Sequence, residues 1–269
     1  MADPAQVQVD SDFGPSRVRF ASARETLAAW AGSSIKIGAL AERARPVWQL
    51  TLPFASALPE RGFPQGSVVE LASPANLGHG LGIALAACAA VQRASIRDGG
   101  EMAWCAFLDP DRTLFGPAVQ ASGVCLDRLL VLRPPRALLA KVAVRVALSR
   151  IFSIVIADVA AVPGAKSSTS RVESMDAWSK VTRRLSLAVE KTPTTVFLLT
   201  RSEAQRSAAL PAAMRVELEN ASPESLVVRV AKEKFGRVTS PRKVAWTRPS
   251  EAPSETEDRA FAGGVAHGR

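Results

Sequence analysis

The stretch Ile151–Asp158 reads IFSIVIAD. Apart from Ser153 it is apolar up to its final aspartate, and Ile and Val dominate it. An uninterrupted run of this length, without polar alternation, predicts a strand buried on both faces at the centre of a parallel sheet. The same signature recurs at Thr195–Thr200 (TVFLLT), Ser67–Ala72 (SVVELA), Met102–Leu108 and Leu129–Arg133 (LLVLR). Between these runs lie helical stretches: the Ala-rich Gly78–Arg97, then Pro135–Ser149 and Met175–Lys191. Strand and helix in alternation predict an α/β fold, a mostly parallel sheet flanked by helices.

Beyond Arg201 the pattern changes. Met214–Glu219, Ser225–Lys234 and Lys243–Arg248 mix polar with apolar residues and are joined by turns at Asn220–Pro223 and Gly236–Pro241. These predict antiparallel strands added at the C-terminal edge of the sheet. At the other end, residues 1–20 read as loose, a helix is expected over Arg24–Ala31, and Pro and Gly punctuate Pro46–Gly66, which reads as a linker with short extended pieces. Three regions result: an N-terminal helix and linker over 1–50, a core over 51–248, and a Ser-, Glu-, Ala- and Gly-rich tail over 249–269, expected to be disordered.

Composition narrows the function. With 47% hydrophobic and 22% charged residues in 269, the chain is globular rather than fibrous or disordered. No apolar run is long enough to span a bilayer. Met1–Asp12 is acidic and lacks any basic residue, unlike a secretory signal, so a cytoplasmic location is expected. Two histidines, His79 and His267, and three scattered cysteines, Cys88, Cys105 and Cys125, argue against a metal cluster, a disulfide framework or a His-based triad. The cysteines sit in apolar stretches and read as buried thiols. Net charge is +9; the tail is net −2, which leaves +11 on the rest. Such a balance favours nucleic acid or an acidic protein partner, with a nucleoid association in reach; the plain alternative is a solvated basic face.

A phosphate-binding loop belongs between a strand and a helix, and Glu70–Leu81 (ELASPANLGHGL) occupies that place. A working loop reads G-x-x-x-x-G-K-[ST], whose lysine neutralises phosphates and whose hydroxyl holds magnesium. Aligned on Gly78, Ser73 stands for the first glycine, His79 for the lysine and Gly80 for the hydroxyl residue. Asp158 closes its strand where a carboxylate would hold magnesium, and Asp111 follows the strand ending at Asp109, where a carboxylate would polarise water. The plain alternative for all three aspartates is strand-end capping.

These features together resemble the RecA recombinase core over Gly66–Arg248, roughly two thirds of the chain. Asp109-Pro110-Asp111 lies where RecA has Asp-Ala-Glu, Gly123–Arg133 where a Gly-Val-Asp turn leads into a Leu-Leu strand, and Ile154–Asp158 at Walker B. Leu198–Arg201 lies where RecA has Ile-Asn-Gln, and Lys232-Glu233-Lys234 stands for a Lys-Asn-Lys motif whose lysines reach a neighbouring subunit's nucleotide. The departures matter too: Arg201 replaces the γ-phosphate-sensing glutamine, and Arg201–Ala213 is short where RecA has a longer DNA-binding loop. A shorter branch fits better. Leu58–Gly66 (LPERGFPQG), Val68–Leu71, Asp109-Pro110 and Leu129–Pro134 resemble ImuA, RecA-like accessory proteins of bacterial mutasomes that work beside an inactive Y-family polymerase homologue, ImuB.

The resemblance implies a RecA-like core and a role in DNA-damage-induced error-prone repair, with RecA and/or an ImuB-like protein as partners. Losing the phosphate lysine costs on the order of several kcal/mol of transition-state stabilisation. A histidine is shorter and mostly neutral at pH 7. The expectation is a pseudo-ATPase with no resident cofactor or metal. Weak ATP binding stays open at the helix N-terminus, and a divergent ATPase would need Lys166 or Lys232 to arrive from a distant loop or another subunit. Lys232 and Lys234, and Leu27 and Trp30 of the N-terminal helix, are subunit-interface candidates; that helix docks on a partner or packs on its own core. Alternation puts Lys232 and Lys234 on one face, with Arg229 joining only through a bulge. Lys166, Arg171 and Arg201 are DNA-binding candidates, in a module that would help place the mutasome on DNA. Lys141 and Arg145, four apart, share a helix face. No tyrosine is present, Trp104 reads as core, and Trp178 and Trp246 are the exposable tryptophans, so DNA binding is expected to be weak and salt-sensitive.

Overall fold

A computed structural model describes residues 46–50, 52–74, 78–159, 175–202, 209–222 and 224–246. The expected helix at 24–31, with Leu27 and Trp30, lies outside them, as do Lys166, Arg171 and the 249–269 tail. Within them lies an α/β fold. Strands β1 (Val47–Gln49) and β2 (Gly62–Pro64) form a small antiparallel sheet, with two 3₁₀ turns, Pro53–Ala57 and Pro59–Arg61, between them. Then come β3 (Ser67–Ser73), α1 (His79–Arg97), β4 (Trp104–Leu108), a short α2 (Gly116–Ala121) and β5 (Leu129–Leu132). They are followed by α3 (Arg136–Leu148), β6 (Phe152–Asp158), α4 (Met175–Val189) and β7 (Thr195–Arg201). Three late strands complete the chain: β8 (Met214–Ser222), β9 (Ser225–Glu233) and β10 (Arg242–Ala245).

The main sheet has eight strands in the order β10-β9-β8-β3-β7-β6-β4-β5. The IFSIVIAD run is β6, an interior strand between β7 and β4. All pairings from β5 to β8 are parallel. The late strands are therefore not all antiparallel additions: β8 lies parallel along β3, and the reversal starts at β9. The approach to β8 explains this. Ala213 N–H bonds to Val68 O, so the chain from β7 re-enters the sheet beside the start of β3 rather than turning back on β7.

One sheet face packs against α1 and the 50–63 segment, through Val69, Leu71, Phe197 and Val216. The other packs against α3 and α4, through Val68, Val155, Val196 and Leu198. The segment expected as a linker is thus built into the core: Phe54 and Phe63 are 1% and 0% exposed. Phe63 meets Phe197 edge-on at 4.9 Å. Gly66 turns the chain from β2 into β3 at φ +61, and a Cβ there would lie 2.8 Å from Thr192 O, so both conformation and space call for glycine.

Burial corrects three tryptophan expectations. Trp104 opens β4 at 37% exposure with the Arg128 guanidinium 5.2 Å over its ring, rather than lying in the core. Trp178 and Trp246 are buried, at 2% and 6%. Cys88 and Cys105 are buried as expected, whereas Cys125 is only half-buried. The environment pushes the Cys88 thiol well above its ordinary range, first by desolvation and then by its hydrogen bond with Cys105. No described helix is long and apolar enough to cross a membrane.

Candidate functional site

Three strand ends meet on the α1 side of the sheet. β3 ends at Ser73, and its register partner is Arg201, the last residue of β7. Ser202 N–H bonds to Ser73 O at 3.0 Å, locking the two ends together. On the far side of β7, Asp158 pairs with Leu199. Side chains alternate along a strand, and Leu71, Leu199 and Ile156 face α1. Ser73, Arg201 and Asp158, each two residues further on, therefore face the same way. The loop strand and the aspartate strand are separated by one strand, β7, so the sequence-selected residues converge at the carboxyl ends of adjacent strands, where α/β proteins place their ligands.

Helix α1 opens at this point. Gly78 precedes it with no side-chain cap, and Gly82 N–H closes the first turn on Gly78 O. The first turn of a helix leaves backbone N–H groups without intrahelical partners, and such an end suits an anion. Gly80 lies close to β3: a Cβ built on it falls 3.4 Å from Ser73 Oγ and 3.6 Å from Leu71 Cβ.

His79, aligned in the sequence with a loop lysine, packs against an indole. It is buried, and its ring stands at 84° to that of Trp246 with centroids 6.1 Å apart. Trp246 in turn lies on Gly82, where a Cβ would come within 2.9 Å of Trp246 Cζ2, and meets Phe54 at 5.9 Å. Its backbone N–H donates to Glu224 O at 2.8 Å, which anchors the residue just beyond the end of β10. The indole thus roofs the first turn of α1. Gly82 was not singled out from the sequence, and Trp246 only as an exposable tryptophan; the available signal was a glycine inside an otherwise Ala-rich helix, which marks a close approach.

The aspartates divide by role. Asp109 is fully buried and accepts from Thr113 N–H at 2.9 Å, Thr113 Oγ1 at 3.3 Å and Leu114 N–H at 3.2 Å. It holds the turn after β4, the capping alternative. Asp111 accepts from Arg136 Nε at 2.8 Å and is ion-paired with that guanidinium at the start of α3. Asp158 is 9% exposed at the end of β6. Arg201 is half-buried, and its Nε is enclosed without a hydrogen-bond acceptor among the described residues.

The lysine pair resolves differently from simple alternation. The β8–β9 register slips between Arg215 and Val216, so Lys232 faces Arg215 while Arg229 faces Glu217. The bulge puts Arg229 and Lys232 on one face. Lys232 Nζ donates to Leu210 O at 3.0 Å, and Lys234 lies exposed past the strand end. Between them Glu233 turns inward and accepts from Phe235 N–H, Arg237 N–H and the Arg237 guanidinium, which also pairs with Glu60. Burial pushes the Glu233 carboxyl up, but the Arg237 side chain and the two backbone N–H groups together outweigh it and hold the carboxyl below its ordinary value. Glu233 therefore contributes stability that is complete above the unfolded glutamate range, about pH 4.3, and is lost as pH falls through the lower folded value. Glu233→Gln is expected to cost about 1–3 kcal/mol at pH 7. The difference from wild type should shrink towards pH 3, read from urea unfolding at the two pH values.

Sequence reading also passed over a buried polar network beside the site. Glu70, in mid-β3, is fully buried and accepts from Thr200 Oγ1 at 2.8 Å and from Arg215 Nη1 at 3.3 and 3.4 Å. Arg215 Nε reaches Glu217 at 3.0 Å, and Arg229 meets Glu217 at 3.6 Å. A charged residue inside SVVELA was the signal, since a buried carboxylate needs partners.

No family model matches this chain. No curated protein is significantly similar to it either. Among the described residues, no group of three or more His, Cys, Asp or Glu side chains is placed to hold a metal ion.

Proposed function

We propose that this chain is a non-hydrolysing, RecA-like accessory protein of DNA-damage-induced error-prone repair, acting by binding RecA and/or an ImuB-like protein. The observation that carries the non-catalytic half is His79 under Trp246. The position that bears a phosphate-neutralising lysine in a working loop is here engaged in the packing that roofs α1. Chemistry on a triphosphate needs positive charge at the transferring group. Asp111, where a water-polarising carboxylate was expected, is neutralised by Arg136. The α1 N-terminus, with its N–H groups, leaves room for a weakly held anion such as ATP without turnover.

The partner half is supported by the resemblance to ImuA and by the open edge of the sheet. β5 has a sheet partner on one side only, β4. Leu130 in it, Leu126 just before it and Leu138 on α3 are 39%, 43% and 47% exposed. Exposed apolar residues along an unpaired edge suit a protein partner. Binding would modulate a RecA filament by inserting a subunit of similar shape that cannot turn over.

The test is titration of the purified chain into RecA on single-stranded DNA, following RecA's ATPase and strand exchange, with the chain alone as control. Suppression without turnover by the chain alone is the expected result. Magnesium-dependent turnover by the chain alone, abolished in Asp158→Ala, would overturn the non-catalytic reading. No effect on RecA would direct the binding to the ImuB-like partner instead.

A further inference from the structure

The acids of this fold are spent unevenly. Arg128, Arg133, Arg136, Arg215, Arg229 and Arg237 each have a carboxylate within salt-bridge distance. The outer face of the α3–α4 layer has none. Lys141 and Arg145 on α3, and Lys180, Arg183 and Arg184 on α4 with Lys191 just beyond it, are all exposed, and none forms an ion pair with a described residue.

These six cations lie on one side of the molecule. α3 buries Leu139, Ala143 and Ala147 against the sheet, and α4 buries Trp178, Leu185 and Ala188 in the same cluster. The two helices also pack on each other. Both must therefore turn their basic stripes away from the same sheet face. Lys141 and Arg145 are four apart, and Lys180, Arg183 and Arg184 follow three- and four-residue spacing, so each set forms a stripe. Like charges so spaced cost a helix a few tenths of a kcal/mol per pair. α3 contains no acid; the sequence of α4 has one, Asp176, four residues before Lys180, and Glu190 follows the helix.

We infer that this face binds the phosphate backbone of duplex DNA. The occupant is chosen by three features. Charge complementarity calls for a polyanion. Both helices lack an exposed aromatic, since Trp178 is 2% exposed, so base stacking on single strands has no platform. A protein interface would have a charge-depleted core, whereas here the exposed leucines, Leu138 and Leu148 on α3 and Leu187 on α4, alternate with cations. At 1.5 Å per residue, α3 is about 20 Å long, the rise of about six base pairs. The site is separate from the Ser73–Asp158 cluster on the opposite sheet face, and the inference does not rest on the function proposed above.

The test uses the full chain and a fluorescent 20-base-pair duplex of mixed sequence, with anisotropy read from 50 to 200 mM salt. If about four phosphates are engaged, affinity should fall about 100-fold across that range. The double variant Arg183→Ser, Arg184→Ser should lose at least about 10-fold in affinity at 100 mM salt, with the log–log salt slope reduced by about 1.8. A charge-matched double variant on α1, Arg93→Ser, Arg97→Ser, should stay within about twofold of wild type, and circular dichroism should show both variants folded. Equal losses in the two variants would reduce the effect to net charge and overturn the assignment. So would absence of duplex binding, tighter binding to a single strand of the same length, or competition by polyglutamate as effective as by DNA.

Discussion

Arg215→Met is expected to lower stability by about 3–5 kcal/mol, measured by urea unfolding at neutral pH. The reason lies in Glu70, which is fully buried in β3, an interior strand of the sheet, between β8 and β7. Arg215 brings a guanidinium to both of its carboxylate oxygens. Methionine fills similar volume but leaves the carboxylate buried without that cation, and an uncompensated buried charge is the costly half of a broken pair. The companion variant sharpens the result. Glu70→Leu combined with Arg215→Met should recover much of the loss, because removing both charges removes the need for compensation. An Arg215→Met protein within about 1 kcal/mol of wild type would show that Glu70 does not depend on the guanidinium.

Phe63→Ala carries the second large effect, about 3–5 kcal/mol by the same measurement. Phe63 is fully buried, packs edge-on against Phe197 at 4.9 Å and lies 6.4 Å from Phe54. Through these rings the 46–64 segment closes over the α1 side of the sheet. Truncation leaves a cavity at that seam, so the segment should also become the preferred site of limited proteolysis. Phe63→Leu should restore most of the stability. A small effect from Phe63→Ala would mean that the segment opens independently of the sheet.

Both predictions concern residues whose importance was not legible locally, and the contrast with what was legible is physical. Strand and helix periodicity depends on near neighbours in the chain. IFSIVIAD therefore announced an interior strand, and the alternating runs around it announced an α/β sheet with helices on both faces. The placement of Ser73, Gly78 and Asp158 at the ends of their elements was readable for the same reason: strand and helix ends are local events.

Pairing is not local. Glu70 finds Thr200 and Arg215 at separations of 130 and 145 residues. Trp246 reaches back to Gly82 and His79 across the whole core. The bulge that turns Lys232 to the side of Arg229 is set by the register against β8, and the parallel course of β8 by where the chain re-enters beside β3. Local order along the chain assigns the strands and helices and the residues that close them, because those follow from side-chain period and backbone preference. The packing of His79 against an indole, the cation beside the carboxylate in the sheet and the shared face of two basic stripes come from assembly instead, because each joins groups whose proximity exists only once the sheet is formed.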